Sequence, residues 1–191
     1  MVMLETFVEK RGPLEQYAFL EGGLPRITGD KPPLIAVPTT AGSGSEVGRA
    51  ALITMSSGRK LALISPHMIP EAVICDPELT LGLPPTITAA TGMDAFIHAV
   101  ESFTSKNAYS VTDMLAKQAM KLIFGNLQKA YADGNDLAAR AAMLEGSLLA
   151  GIAFANAGVT AVHAFAYPIG AEFHIPHGVA NTLMLPHVMR F

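Results

Sequence analysis

The sequence has no tryptophan, a single cysteine and few charges: 13 Lys and Arg and 16 Asp and Glu, or 15% of 191 residues. Each scarcity excludes something. One cysteine, Cys75, rules out an internal disulfide and fits a reducing compartment. Within the apolar run "AVIC" it reads as a small buried residue. A net charge of −3 without basic runs offers neither a nucleic-acid-binding stripe nor a polybasic membrane patch, so neither partner is expected. At 50% hydrophobic the chain is too apolar for disorder and sufficient for one substantial core or two small ones. The opening "MVMLETFVEKRG" carries acids early and no long apolar region, unlike a secretory signal, and a cytoplasmic location is expected. Leu148 to Ala171 contains no charge, but Asn156, His163, Pro168 and three glycines interrupt it. It reads as buried helix and loop rather than a membrane span.

What is present changes character along the chain. "PLIAVPTT" (33–40), "RAALIT" (49–54), "KLALIS" (60–65) and "EAVIC" (71–75) are short apolar or alternating runs bounded by Gly, Pro or Ser, which predict strands. Residues 2–10 and 14–20 predict short helices. After "LGLPP" (81–85) the periodicity becomes helical over Thr86–Thr104, Ser110–Ala132 and Asp136 to about Phe154, with a fourth helix around His163. The expected organisation is an α/β part over 1–84, with an incomplete Rossmann-like sheet, and an all-α part over 85–191. Too few strands for a whole dinucleotide-binding sheet, and an abrupt close at "LPHVMRF", suggest the middle of a longer protein.

The helical part holds the chemistry. In "TGMDAFIHAVES", Asp94 and His98 lie four apart and so share one helix face, surrounded by apolar residues. His163 and His177 follow, the latter in "HIPHG", where Pro176 and Gly178 stiffen and turn the backbone. One carboxylate and three imidazoles make a mixed oxygen and nitrogen donor set suited to Zn²⁺ or Fe²⁺. An Asp–His pair at this spacing is also a common helix hydrogen bond, and spacing alone leaves both readings open. His67, His174 and His187 read as loop, solvent or core residues.

Three long motifs occur in order: "PTTAGSGSEV" (38–47), "GMDAFIHAVES" (92–102) and "VHAFAYPIGAEFHIPHG" (162–178). Together with "DPELT" (76–80) and "ANTLMLPHVMRF" (180–191), they resemble the iron-containing, or group III, alcohol dehydrogenase family, from about residue 25 to the end. The resemblance implies a metal-dependent, NAD(P)-linked alcohol dehydrogenase or aldehyde reductase in which Asp94, His98, His163 and His177 bind a divalent ion, Fe²⁺ or Zn²⁺. It implies a primary alcohol or aldehyde as substrate and a homo-oligomer, a dimer in the first instance. At Tyr167 many members have histidine. Tyrosine donates a hydrogen bond, but with a pKa near ~10 it is a poor proton acceptor at neutral pH. Tyr167 is thus the catalytic candidate, expected to line the cleft without being an obligatory base.

The loop "TTAGSGSE" (39–46) follows a predicted strand, and its small residues and hydroxyls suit a phosphate or ribose. It is neither G-x-G-x-x-G nor a Walker loop, and by itself an ordinary turn explains it. The resemblance implies that Thr39, Thr40 and Ser43 border the NAD or NADP pocket, that Lys60 reaches the cofactor ribose, and that Leu79 packs near the adenosine. The family's Gly-Gly-Gly-Ser pyrophosphate turn would lie upstream and its last helices downstream, so little activity is expected of these 191 residues alone. Two alternatives remain at this point: a truncated, non-catalytic metal-binding fragment, and a lyase related to dehydroquinate synthase. The aspartate at position 94 and the tandem "HAFAYPIG…HIPHG" segment favour the dehydrogenases over the lyase.

Overall fold

The chain's computed structural model describes residues 13–55 and 60–191. The helix expected over residues 2–10 lies outside the described residues. The rest forms two compact units, one of the described residues up to Ile35 with Gly48–Ala72, the other of Ala36–Val47 with Val73–Phe191.

In the first unit, the helix expected over 14–20 is replaced by three single 3₁₀ turns, Leu14–Tyr17, Phe19–Glu21 and Leu24–Arg26. Ala18 is extended, with ψ 140°, and Gly22, with φ 71°, ends the next turn, so no run is long enough to propagate as an α-helix. The strand expectations hold in outline: β1 is Ile35–Ala36, β2 Ala50–Thr54, β3 Lys60–Ile64 and β4 Ala72–Val73. β2 and β3 pair antiparallel, Ala50 opposite Ile64 and Leu52 opposite Ala62. Alternation turns Leu61 and Leu63 inward, where they join Tyr17, Ala18, Ile27 and Met55 in a small core. β1 and β4 form a separate two-stranded piece. The carbonyls of Leu34 and Ala36 accept from Ala72 and Ile74, a parallel pattern. Nearby, Glu71 pairs with Lys31 and accepts from the Leu34 N–H, which together bring its carboxyl down to about 2.

The second unit is a helical core: α1 Pro85–Thr104, α2 Ser110–Ala132, α3 Leu137–Ala157, α4 Ala161–Phe173 and α5 His177–Val188. Pro85 starts α1 at a position that needs no N–H. The Asp136 carboxylate caps α3 by accepting from Ala139, 2.9 Å away. α3 stops at Gly158, whose φ is 80°. α1, α2 and α3 pack on one another, and α5 packs on α1 and α4. Their shared core is dominated by alanine: Ala95, Ala99, Ala116, Ala119, Ala139, Ala150 and Ala153, with Ile123, Met143 and Leu144. Small side chains at a contact let helices pack closely. α3 alone is long and apolar enough to cross a membrane among the described residues, yet half of it is buried within the fold, as in a core helix.

The first motif threads into this unit. A Cβ on Gly44, whose φ is +59°, would lie 2.5 Å from the Cα of Gly151 on α3. Only glycines fit where the loop backbone meets the helix.

Candidate metal centre

Three helices bring their polar residues to one point. Asp94 and His98 leave α1 on one face, one turn apart. His163 leaves the first turn of α4 and His177 opens α5. A Cβ on Gly178 would stand 2.0 Å from the Ala90 carbonyl oxygen, so the missing side chain is what lets α5 start directly against α1. That contact sets His177 beside Asp94, with His177 Nε2 3.7 Å from Asp94 Oδ1. His163 Nε2 is 3.5 Å from the same oxygen. One ligand atom from each of Asp94, His98 and His163 falls within a mutual 4.8 Å, and all three residues are buried. The four residues expected to act together are therefore brought together.

The rings are held by stacking. His98 lies between Phe154, at 4.4 Å between centroids, and His163, at 4.6 Å, both nearly parallel. Tyr167 stacks on His177 with centroids 5.3 Å apart and planes 11° apart. Tyr167 remains 38% exposed and the His177 side chain likewise 38%, so the cluster is open on this side and closed on the others.

Two residues that the sequence reading did not single out complete the site. Glu101, one turn past His98 and almost fully buried, accepts from the Val162 N–H (2.7 Å) and the Thr160 hydroxyl (2.8 Å) through Oε1. Its Oε2 bonds His163 Nδ1. Asn181, on α5 and fully buried, sets its amide nitrogen 2.7 Å from Asp94 Oδ1, 3.0 Å from His163 Nε2 and 3.2 Å from His177 Nε2.

The electrostatics follow from burial and proximity. Burial brings His98 down to about 4 despite the carboxylate of Asp94, so its ring is neutral at physiological pH. Burial alone would raise Asp94 and lower His163, but their mutual contact, with the other imidazoles on one side and Glu101 on the other, reverses both: Asp94 lies below and His163 above its ordinary value. Burial, then the carboxylates of Asp94 and Glu101, raise Tyr167. Of five buried side-chain polar atoms without a hydrogen-bond partner among the described residues, two, His98 Nδ1 and Asn181 Oδ1, belong to this cluster. The Gly42 carbonyl faces His98 and favours its charged form without meeting hydrogen-bond geometry at Nδ1. A buried carboxylate and two buried imidazoles, with a third imidazole at their open edge, are donor chemistry suited to a divalent cation.

The cofactor candidates are more dispersed. Thr39 and Ser43 are exposed and Thr40 half-buried, on the loop whose Gly42 lies against Thr91 of α1. The Ser43 hydroxyl bonds that of Ser45 at 2.9 Å. Leu79 is half-exposed in the 3₁₀ turn Pro77–Thr80. Lys60 opens β3, and its side chain lies outside the described residues.

Known proteins resemble the chain in sequence and in fold. Residues 3–77 match the family described as iron-containing alcohol dehydrogenase, and residues 88–191 the Fe-containing alcohol dehydrogenase family, C-terminal. The chain is 48% identical over 181 residues to 1,3-propanediol dehydrogenase of Klebsiella pneumoniae, covering 94% of this chain and 46% of that protein. The crystal structure of a 1,3-propanediol oxidoreductase superposes with a TM-score of 0.90 at 45% identity, over 99% of this chain and 48% of the other. That of sulfoacetaldehyde reductase from Bifidobacterium kashiwanohense in complex with NAD⁺ gives 0.83 at 41% identity, over 85% of this chain and 44% of the other. The chain thus spans about half the length of the relatives it matches, and across both halves of its sequence it belongs to the iron-containing alcohol dehydrogenase family.

Proposed function

We propose that the protein containing this chain is a divalent-metal-dependent, NAD(P)-linked alcohol dehydrogenase and aldehyde reductase, with Asp94, His98, His163 and His177 as its metal ligands. The observation that carries this reading is the convergence of Asp94, His98 and His163 from α1 and α4 in an apolar core, with His177 of α5 at their open edge, its Nε2 3.7 Å from Asp94 Oδ1. Either Fe²⁺ or Zn²⁺ suits these donors, and geometry and supply rather than donor type choose between them. When bound, such an ion supplies Lewis acidity toward the oxygen of an alcohol or aldehyde, and a nicotinamide accepts or donates the hydride.

The chain's own residues prepare for that chemistry. Asp94 brings one negative charge, and His98 is neutral and ready to ligate at physiological pH. Tyr167 lines the open side, and its raised pKa keeps the hydroxyl protonated: a hydrogen-bond donor to a substrate oxygen, not a base. Thr39, Thr40, Ser43, Lys60 and Leu79 are assigned to the cofactor side, NAD or NADP. Support for this is their place in the family's motifs and the NAD⁺ complex of a relative. The substrate is a small primary alcohol or its aldehyde. The protein works as a homo-oligomer, a dimer in the first instance, in the cytoplasm, in keeping with a single, half-buried cysteine.

The test uses the purified protein at its natural length. Elemental analysis should find one divalent ion per chain, and NADH or NADPH oxidation against a panel of aldehydes should stop on chelation and return with Fe²⁺ or Zn²⁺. Metal-free protein of undiminished activity would overturn the reading.

A further inference from the structure

We infer that Glu101 is a positioning residue that sets the tautomer of His163, placing the ring proton on Nδ1 and leaving the Nε2 lone pair for the metal. This rests on the proposed ligand set and deepens it. The carboxylate has no freedom to act otherwise. Oε1 accepts from the Val162 N–H, a donor that cannot reverse its role, and from the Thr160 hydroxyl. Oε2 is thereby aimed at His163 Nδ1. A carboxylate has no proton to give, so the neutral ring must donate from Nδ1. At the opposite edge two groups face Nε2: the Asn181 amide nitrogen, a donor, at 3.0 Å, and the Asp94 Oδ1, an acceptor, farther off at 3.5 Å; the nearer contact is the one that calls for a lone pair on Nε2. Glu101, His163 and Asn181 are all buried, so water competes at none of these contacts.

One carboxylate therefore has two tasks. It caps the first turn of α4 through Val162 and Thr160, and it orients the ligand on the next residue. Because Glu101 stands on the same α1 face as Asp94 and His98, it ties α4 to the helix that carries the other two buried ligands.

The two tasks separate in Glu101→Gln. The Val162 N–H requires an oxygen, so the glutamine carbonyl must take the Oε1 place and its NH₂ must face His163. That NH₂ is a donor, and it drives the ring to the other tautomer, with a proton on Nε2 where the metal needs a lone pair. Glu101→Ala removes the cap but imposes no tautomer. A merely structural Glu101 predicts that the isosteric Gln is the milder change, whereas a tautomer-setting Glu101 predicts that Gln is at least as harmful as Ala.

The experiment combines two measurements on the protein at its natural length. In metal-free protein carrying ¹⁵N-histidine, with His163 assigned through its loss in His163→Gln, ring nitrogen shifts should show Nδ1–H in wild type and Nε2–H in Glu101→Gln. Co²⁺ titration followed by absorbance should show affinity at least tenfold weaker in Glu101→Gln, and no weaker in Glu101→Ala than in Glu101→Gln. An Nε2–H tautomer in wild type overturns the inference without need of any variant, as does wild-type Co²⁺ affinity in Glu101→Gln. His177→Ala, titrated alongside, tests the ligand set separately. Lost affinity in His177→Ala with none lost in Glu101→Gln sinks the inference and leaves the ligand set standing.

Discussion

Replacing Gly178 by alanine tests the contact that brings α5 to the site. The new Cβ would stand 2.0 Å from the Ala90 carbonyl oxygen and 2.7 Å from its carbon. Both are backbone atoms in the first turns of α1, so no rotamer relieves the overlap. Contact distances start near 3 Å, and the start of α5 must retreat from α1 by about 1 Å, the difference between that limit and 2.0 Å. Overpacking of this kind costs roughly 1–3 kcal/mol. At about 2–4 °C per kcal/mol for a domain of this size, Tm should fall by roughly 2–12 °C. The same retreat lengthens the 2.7 Å bond from Asn181 to Asp94 and carries His177 away from its place 3.7 Å from Asp94. Metal affinity should weaken along with stability. Gly125→Ala is the control, because a Cβ there meets nothing within 4 Å in the middle of α2, and it should gain about 0.5–1 kcal/mol from helix propensity alone. Thermal unfolding and Zn²⁺ titration of both variants read the outcome. Unchanged Tm and affinity in Gly178→Ala would show that α5 is not seated through this contact.

Three further outcomes are expected. His177→Ala should lose stoichiometric metal by elemental analysis while circular dichroism stays helical, since His177 is the half-exposed member of the set; equal metal content would refute its role. Tyr167→Phe should keep measurable turnover, with kcat reduced nearer tenfold than the 10²–10⁴ typical of a lost acid–base group; a larger loss with metal retained would mean that the hydroxyl is obligatory. For His98, the folded pKa of about 4 lies below the unfolded 6.5, so the metal-free fold binds fewer protons than the unfolded chain in that window. The stability this contributes is complete above pH 6.5, is lost as pH falls toward 4, and is on the order of 3 kcal/mol. His163, with its raised pKa, contributes in the opposite sense: its stability is present below 6.5 and lost as pH rises through that higher value. Comparison with His98→Asn, by denaturant unfolding with chelator between pH 7 and 4, isolates the first effect, and parallel curves for the two proteins would contradict it.

Much of the site was legible because its residues recur at one spacing. Asp94 and His98, His163 and Tyr167, and His177 and Asn181 are each four apart, one turn of helix. The first pair is plain in sequence because apolar residues surround it. The third is hidden: Pro176, Gly178 and Pro186 argue against a helix locally, yet α5 forms over His177–Val188 because Pro176 precedes it as N-cap and the core of α1 and α4 holds it. Without that helix Asn181 has no reason to be read with His177. Glu101 carried a signal of its own, a third polar residue on the α1 face, seven after Asp94, but a glutamate near a helix end reads as solvated until α4 is known to start beside it. The 3₁₀ turns over Leu14–Arg26 were not legible: residues 14–20 hold no Gly or Pro and read as a short helix, whereas the chain turns extended at Ala18.

The way the polar groups are distributed also says from which side this unit can be approached. Asp94, His98, His163, Glu101 and Asn181 are buried, and such groups are tolerated inside a core only when paired or when coordinating a cation. Most of them are paired, and those that are not, His98 Nδ1 and Asn181 Oδ1, belong to residues at the cluster itself. Among the described residues, His177 and Tyr167 combine contact with the cluster and substantial exposure, and they stack ring on ring at its edge. Within this unit the Asp94 and His163 donor atoms are therefore approached past these two rings. On the proposed ligand set, His177→Ala removes a donor and opens this edge, whereas Tyr167→Phe keeps the ring in place and removes only a hydrogen-bond donor. For that reason the two substitutions should separate metal retention from turnover, the first changing metal content and the second lowering kcat at constant metal.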